Sequence, residues 1–152
     1  MDAPWQIRPA RSADGDRLAV IERRCFGDPW SAAAFEDIFR SSTGHGVVAV
    51  RREEVVGYLV GRVVAGEGEI LNLAVVPEER RQGLGQRLLE AGLAALAGAG
   101  AREILLEVRE HNLPALDLYQ RRGFRPVGLR PRYYRNPVED AIVLRLALAA
   151  GA

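Results

Sequence analysis

Near the middle of the chain an apolar run, Leu73-Ala74-Val75-Val76, stops at Pro77, and a charged turn leads into Arg80-Arg81-Gln82-Gly83-Leu84-Gly85-Gln86. Glycines at such a junction let the main chain approach a ligand closely and leave N–H groups pointing outward. The start of the helix they open carries roughly +0.5 of an elementary charge. Together these features suit a pyrophosphate. The dinucleotide fingerprint G-x-G-x-x-G and the phosphate-binding loop G-x-x-x-x-G-K-[ST] do not occur. Taken alone, the pattern R-x-x-G-x-G also describes a tight strand-to-helix turn. All 21 basic residues are Arg. The bland source of that bias is a GC-rich genome. Its chemical consequence is that no Lys amine serves as nucleophile or phosphate anchor, so an anion site here uses Arg or backbone N–H groups.

The elements that must position this turn follow from periodicity. Trp5–Arg8 reads as a first strand, and Ser12–Phe26 as a helix with Leu18, Ile21 and Cys25 on one stripe and Ser12 or Asp14 as its cap. Ser31 caps a second helix, Ser31–Phe39. Val47–Val50 and Val55–Val64 form a hairpin, and Glu69–Val76 is a third strand that Pro77 ends. Gln82–Ala99 is a helix whose residues Leu84, Leu88, Leu89, Leu93 and Leu96 make a wide apolar stripe. In the strand Glu103–Arg109, Ile104, Leu106 and Val108 share one face while Leu105 and Glu107 share the other. Asn112 caps a short helix to Arg122, with Pro114 in its first turn and Gly123 as its stop. Phe124–Leu129, Tyr133–Tyr134 and Ala141–Leu148 supply the last strands, and Ala149–Ala152 is expected to fray. The order β-α-α-β-β-β-α-β-α-β-β predicts an α/β fold, a mixed sheet with helices on both faces.

Composition sets the bounds. The chain has 152 residues, 48% hydrophobic and 27% charged, which predicts one globular domain spanning residues 1–152. A net charge of +1 gives no bulk attraction for nucleic acid. No apolar stretch reaches the ~20 residues of a membrane span, and the N-terminal residues lack a hydrophobic signal core. One cysteine, Cys25, forms no internal disulfide, which fits a reducing cytoplasm. His45 and His111 have no metal-ligand spacing with each other or with Cys25, so no metal is expected.

Three motifs occur in a fixed order: Arg80-x-x-Gly83-x-Gly85 after a strand, Leu106-Glu107-Val108-Arg109, and Asn112-x-x-Ala115-x-x-Leu118-Tyr119-x-x-x-Gly123-Phe124. Together they resemble the GNAT superfamily of N-acetyltransferases over about residues 5–148. Phe26-x-x-Pro29-Trp30-Ser31, Tyr133-Tyr134 and Glu139-Asp140-Ala141 bring the chain nearest its RimI branch, which acetylates ribosomal proteins on an N-terminal alanine. The resemblance implies acetyl transfer from acetyl-CoA to the N-terminal α-amine of a small-subunit ribosomal protein. It implies a central sheet splayed between Glu69–Val76 and Glu103–Arg109 to admit the pantetheine arm. It also implies direct attack in a ternary complex.

That chemistry needs a neutral amine, a donor for the developing oxyanion and a proton for the departing thiolate. By resemblance Glu107 is the base, working through water because a free Glu titrates near 4.3; the alternative is a solvent-facing Glu at a strand end. By resemblance Tyr119 is the acid that protonates the thiolate; the alternative is a buried aromatic. Arg80, Arg81, Gln82, Gly83, Leu84, Gly85 and Gln86 would hold the pyrophosphate. Leu73, Ala74 and Val75 would meet the pantetheine through their backbone, with the Val75 N–H as oxyanion donor. Asn112 would hydrogen-bond the same arm as well as cap its helix. Trp30, Tyr133 and Tyr134 divide between core packing and an acceptor groove. Glu69 is a rival base, His111 a possible lining residue, Cys25 a core residue, and Arg130, Arg132 and Arg135 a solvated face or a contact for acidic partners. Two other readings stay open: the same fold acting on a Lys side chain or small amine, and a non-catalytic acyl-CoA-binding module.

Overall fold

The computed structural model describes residues 4–148. Strand β1 (Gln6–Pro9) leads through a 3₁₀ turn (Ser12–Asp14) into helices α1 (Gly15–Cys25) and α2 (Ala32–Arg40). Strands β2 (Gly44–Arg51), β3 (Glu54–Val64) and β4 (Glu67–Val75) follow as an antiparallel meander. A second 3₁₀ turn (Pro77–Glu79) precedes helix α3 (Leu84–Gly98), and then come β5 (Glu103–Arg109), α4 (Leu113–Arg122), β6 (Arg125–Tyr134) and β7 (Glu139–Ala147). The strands form one sheet in the order β1-β2-β3-β4-β5-β7-β6, antiparallel except where β4 meets β5. This is the expected α/β architecture and element order. The expected fraying of Ala149–Ala152 lies outside the described residues.

Boundaries moved where local chemistry overrode periodicity. The first helix starts at Gly15, because Asp14 instead accepts the Arg11 N–H at 2.8 Å and pairs with Arg8 at 2.8 Å, tying the turn to β1. The third begins at Leu84, not Gln82. Arg81 and Gly83 both sit at positive φ, 62° and 86°, a left-handed backbone that no helix continues. Ser31 and Asn112 cap as expected, accepting from Ala34 N at 3.1 Å and Ala115 N at 3.3 Å.

Alternation along β3 decides which helix lies on which side. Gly57, Leu59 and Gly61 face Leu88, Gly92 and Leu96 of α3, while Tyr58 faces Glu22 of α1 and Phe35 of α2. The five leucines of the α3 stripe are all buried, each worth about 1.5–3 kcal/mol on transfer from water. Helix α4 lies beside α3, with Leu118 against Gly85 and Arg122 paired to Glu90.

The feature that makes a site is an interruption of the sheet. Strands β4 and β5 pair only from Glu67 with Glu103 to Ile70 with Leu106. On the other edge of β4, Gly61 opposes Ile70 and Val60 opposes Asn72, so Leu71 is an extra residue, a β-bulge. A bulge bends its strand and stops pairing, and past Leu71 the two strands diverge. The remaining parallel seam is tight: a methyl added at Gly68 would lie 2.5 Å from Ile104 Cδ1 and 3.2 Å from the Glu103 carbonyl oxygen. Gly68→Ala is therefore expected to cost about 1–3 kcal/mol of stability by overpacking, read as a lower urea midpoint. An unchanged midpoint would mean that the seam is not close-packed.

Candidate active site

Where β4 and β5 part, a cleft of about 580 Å³ opens. Its walls come from the end of α1 and the loop after it, from β4, β5 and α4, and from the β6–β7 hairpin. Of the sequence-predicted residues, Glu107, Tyr119, Asn112, Leu73, Trp30, Tyr133 and Tyr134 line it together, as do Glu69, Cys25 and His111.

Glu107 reaches the cleft from the end of β5 that pairs with β7 but no longer with β4. Its Oε1 is 3.4 Å from Arg130 Nε, and its Oε2 is buried without a hydrogen-bond partner among the described residues. The residue lines the cleft, and Tyr133 lies beside it, its hydroxyl raised by burial and then by a hydrogen bond to Glu107. Glu69 differs: Arg62 holds its Oε1 from Nε at 3.0 Å and Nη2 at 2.8 Å. Tyr119 is 6% exposed and packs edge-on against Phe124 at 5.5 Å. Burial pushes its phenol well above the ordinary value, so it stays protonated and is a donor at every physiological pH. Tyr134 is raised in the same way by burial and then by the charge of Glu107.

The register of β4 aims its polar groups. Val76 N donates to Val56 O at 2.9 Å, so by antiparallel alternation Ala74 also spends its backbone on β3. Leu73 and Val75, one step out of phase, turn their N–H and C=O groups toward the gap. The three consecutive positions expected to face a ligand thus resolve to two. The Val75 carbonyl receives Arg80 Nε at 3.0 Å and the Cys25 thiol at 3.8 Å. Arg80 Nη2 also reaches Cys25 Sγ at 3.3 Å, which ties the turn to the cleft wall. Residues 80–86 lie beyond the end of the cleft. There Gly83, the N-cap of α3, makes no side-chain cap bond, and the first helical bond is Arg87 N to Gly83 O. The N–H groups of Leu84, Gly85 and Gln86 precede that bond and have no intrahelical acceptor. Leu84 is a core residue at 1% exposure, so its side chain takes no part at this end.

On the acceptor side Trp30 both lines the cleft and packs on Phe35 at 5.3 Å, and Tyr133 stacks edge-on against Tyr134 at 5.0 Å. Arg130 is exposed, as expected of a solvated face, and it also pairs with Glu107 and lies over the Tyr133 ring. Arg132 N donates to Asp140 Oδ1 at 2.8 Å, and Arg135 O accepts from Arg109.

Three residues were given no role by the sequence reading, although Arg109 stands in one of its motifs. Arg109, two positions after Glu107, donates to the carbonyls of Pro137 (2.9 Å) and Arg135 (2.6 Å), pairs with Glu139 at 3.3 Å and lies over the Tyr134 ring at 4.5 Å. It anchors the hairpin that carries both tyrosines. Asn72 and the buried Glu22 join β4 to α1 on the cleft wall. The signal for Glu22 was present: it stands four residues after Leu18 on the apolar stripe of α1, where an unpaired carboxylate has no business. Asn72 likewise interrupts an apolar strand.

Charged hydrogen bonds contribute about 1.5–3 kcal/mol each. Arg109→Met should therefore loosen residues 135–139, read as faster backbone hydrogen exchange there and a fall in stability of about that size. Unchanged exchange in this segment would show that Arg109 does not anchor it.

Residues 15–124 match the family model described as Acetyltransferase (GNAT) family. The chain is 38% identical over 148 residues to the N-alpha-acetyltransferase RimI of Mycobacterium tuberculosis, with 93% of this chain and 92% of that one covered. The crystal structure of the ribosomal-protein-S18-alanine N-acetyltransferase from Escherichia coli superposes with a TM-score of 0.89 at 29% identity, covering 98% of this chain and 97% of the other. Arabidopsis thaliana NAA60 in complex with acetyl-CoA shares the fold, with a TM-score of 0.86 at 23% identity over 95% of this chain and 99% of that one. With the open β4–β5 gap, the uncapped helix start and a cleft lined by both Glu107 and Tyr119 already in place, these matches establish that the chain belongs to the GNAT family of acetyltransferases.

Proposed function

We propose that this enzyme transfers acetyl from acetyl-CoA to the N-terminal α-amine of a protein, with the N-terminal alanine of a small-subunit ribosomal protein as its acceptor, and that residues 1–152 act as one catalytic domain in the cytoplasm. The observation that carries the reading is that Glu107 and the protonated Tyr119 line the same cleft, at the point where β4 and β5 part. An acid and a base that converge on one space are what an acyl transfer to an amine requires.

The residues fit the cosubstrate. Exposed N–H donors at the start of the 15-residue α3 suit a pyrophosphate. The backbone groups of Leu73 and Val75 along the gap, with Asn112 on the opposite wall, suit an extended amide-bearing arm. When bound, acetyl-CoA supplies the activated thioester. Glu107 takes the proton that the amine loses as its nitrogen bonds to the acetyl carbon, through one water if the amine stands off. The Val75 N–H donates to the carbonyl oxygen. Tyr119 gives its phenolic proton to sulfur as the C–S bond breaks, and regains one from solvent. An α-amine has a pKa of about 7.7–8.0 against about 10.4 for Lys, so it asks less of Glu107 than a side-chain amine would. Trp30, Tyr133 and Tyr134 form the acceptor walls. An N-terminal alanine has little to bury, so discrimination rests on excluding larger first residues and on contacts further along the peptide. The RimI name of the Mycobacterium tuberculosis relative and the S18-alanine title of the Escherichia coli structure support this acceptor.

Tyr119→Phe keeps the packing on Phe124 and removes only the proton. A fall in kcat of roughly 10²–10⁴-fold with acetyl-CoA affinity retained is expected. Activity within about threefold of the parent would make Tyr119 a packing residue, since general acid catalysis contributes far more.

Glu107→Gln removes the base. Its deficit in kcat/KM on an N-terminal-Ala peptide should be largest at pH 6.5, where the amine is mostly protonated, and should shrink as pH rises through about 8, near the free α-amine pKa. A deficit equal at every pH would leave Glu107 a positioning role only. Peptides with internal Lys in place of a free N-terminus serve as the competing acceptor in the same assay.

A further inference from the structure

Glu22 is the most buried carboxylate among the described residues, at 1% exposure. No Arg or His is among its hydrogen-bond partners. Its Oε1 accepts the Tyr58 hydroxyl and Asn72 Nδ2 at 2.9 Å; its Oε2 accepts Asn72 Nδ2 at 2.8 Å and the backbone N–H of Trp30 at 3.1 Å. These donors come from three places. Tyr58 belongs to the core of β3, Asn72 follows directly on the bulge that opens the gap, and Trp30 belongs to the loop that walls the acceptor side. Glu22 therefore links the Trp30 loop directly to the bulged strand. An isolated buried charge is costly unless neutral donors solvate it, and burial does push this carboxyl above its ordinary range while Tyr58, Trp30 and Asn72 pull it down.

We propose that Glu22 is a positioning residue for the acceptor: it fixes the Trp30 wall to β4, and so sets where the amine stands relative to the acetyl group. This rests on the acyl-transfer reading above. The role belongs to the arrangement of acceptors, not to the charge, and that distinction makes it testable. Gln in place of Glu22 keeps one oxygen at the Oε2 position for both Trp30 N–H and Asn72. Its amide nitrogen then gives up the second Asn72 contact, Asn72 keeping its bond to the remaining oxygen, and meets the Tyr58 hydroxyl, which can turn to accept. Leu of similar size leaves all three donors without an acceptor.

The test uses the full chain with acetyl-CoA and an N-terminal-Ala peptide. E22Q should keep peptide KM and Trp30 amide hydrogen exchange within about threefold of the parent, well under the factor expected for an unpaired buried donor. E22L should raise peptide KM by about tenfold or more, the equivalent of losing a buried hydrogen bond. In E22L the Trp30 amide should exchange faster, while the dissociation constant of acetyl-CoA, measured by calorimetry, holds. Should E22L fail to fold, N72A cuts the same link at the β4 end and leaves the Glu22–Trp30 bond, and it too should raise peptide KM. The proposal is overturned if E22Q loses as much as E22L, because the charge would then be what matters. It is overturned as well if N72A leaves peptide KM unchanged. Failure of the parent enzyme to acetylate the peptide counts against the acceptor assignment instead, since Trp30 amide exchange in the ligand-free variants still reports the link itself.

Discussion

A single inserted residue, Leu71, governs this molecule. By bulging β4 it ends the parallel pairing of β4 with β5 after four residue pairs and leaves two strands with their inner edges facing one another across a gap. Unpaired strand edges in a protein interior demand a hydrogen-bonding partner. The geometry therefore asks for an extended ligand with amide groups, and it aims the alternating backbone of Leu73 and Val75 at it. Glu107 reaches the cleft because it stands one step past the last residue of β5 that pairs with β4, and Tyr119 because α4 crosses the same opening.

Charge is distributed around that opening with a clear division of labour. Glu69, Glu139 and one oxygen of Glu107 are held by arginines, Arg62, Arg109 and Arg130, whereas Glu22 is held by neutral donors alone. Arginine suits the first group because its planar fork meets carboxylates and carbonyls at several points at once, as Arg109 does across the β6–β7 hairpin. The result is a cleft whose walls are cross-linked by ion pairs and hydrogen bonds.

Much of this was legible in the sequence. Leucine periodicity located α3, the alternation of Ile104, Leu106 and Val108 placed Glu107 on the opposite face, and Ser31, Asn112, Pro114 and Gly123 marked helix ends. The motif resemblance led to Glu107 and Tyr119. What stayed hidden was whatever depends on register across strands far apart in sequence. The bulge at Leu71 has no residue signature, so nothing along the chain distinguished Ala74, whose backbone groups turn toward β3, from Leu73 and Val75, whose backbone groups turn toward the gap. The roles of Glu22 and Arg109 depend on partners 8 to 50 residues away, at Trp30, Asn72 and Pro137. The left-handed backbone at Arg81, a residue that favours no such conformation, moved the helix start by two positions for a reason only the folded turn supplies.

In mechanical terms the sheet is two plates, β1–β4 and β5–β7, welded along the short seam between Glu67–Ile70 and Glu103–Leu106. Past the seam, stress between the plates passes through helices and loops instead of through a ladder of backbone bonds. Anything seated in the gap mends the ladder and stiffens the joint, so occupancy is felt by the whole fold and raises its resistance to unfolding in proportion to RT ln(1 + [L]/Kd). The same weld makes the opening angle a property of close packing at Gly68 and Ile104, far from any reacting atom, and a slight change there would be amplified toward the mouth as it is at the tips of a pair of tongs.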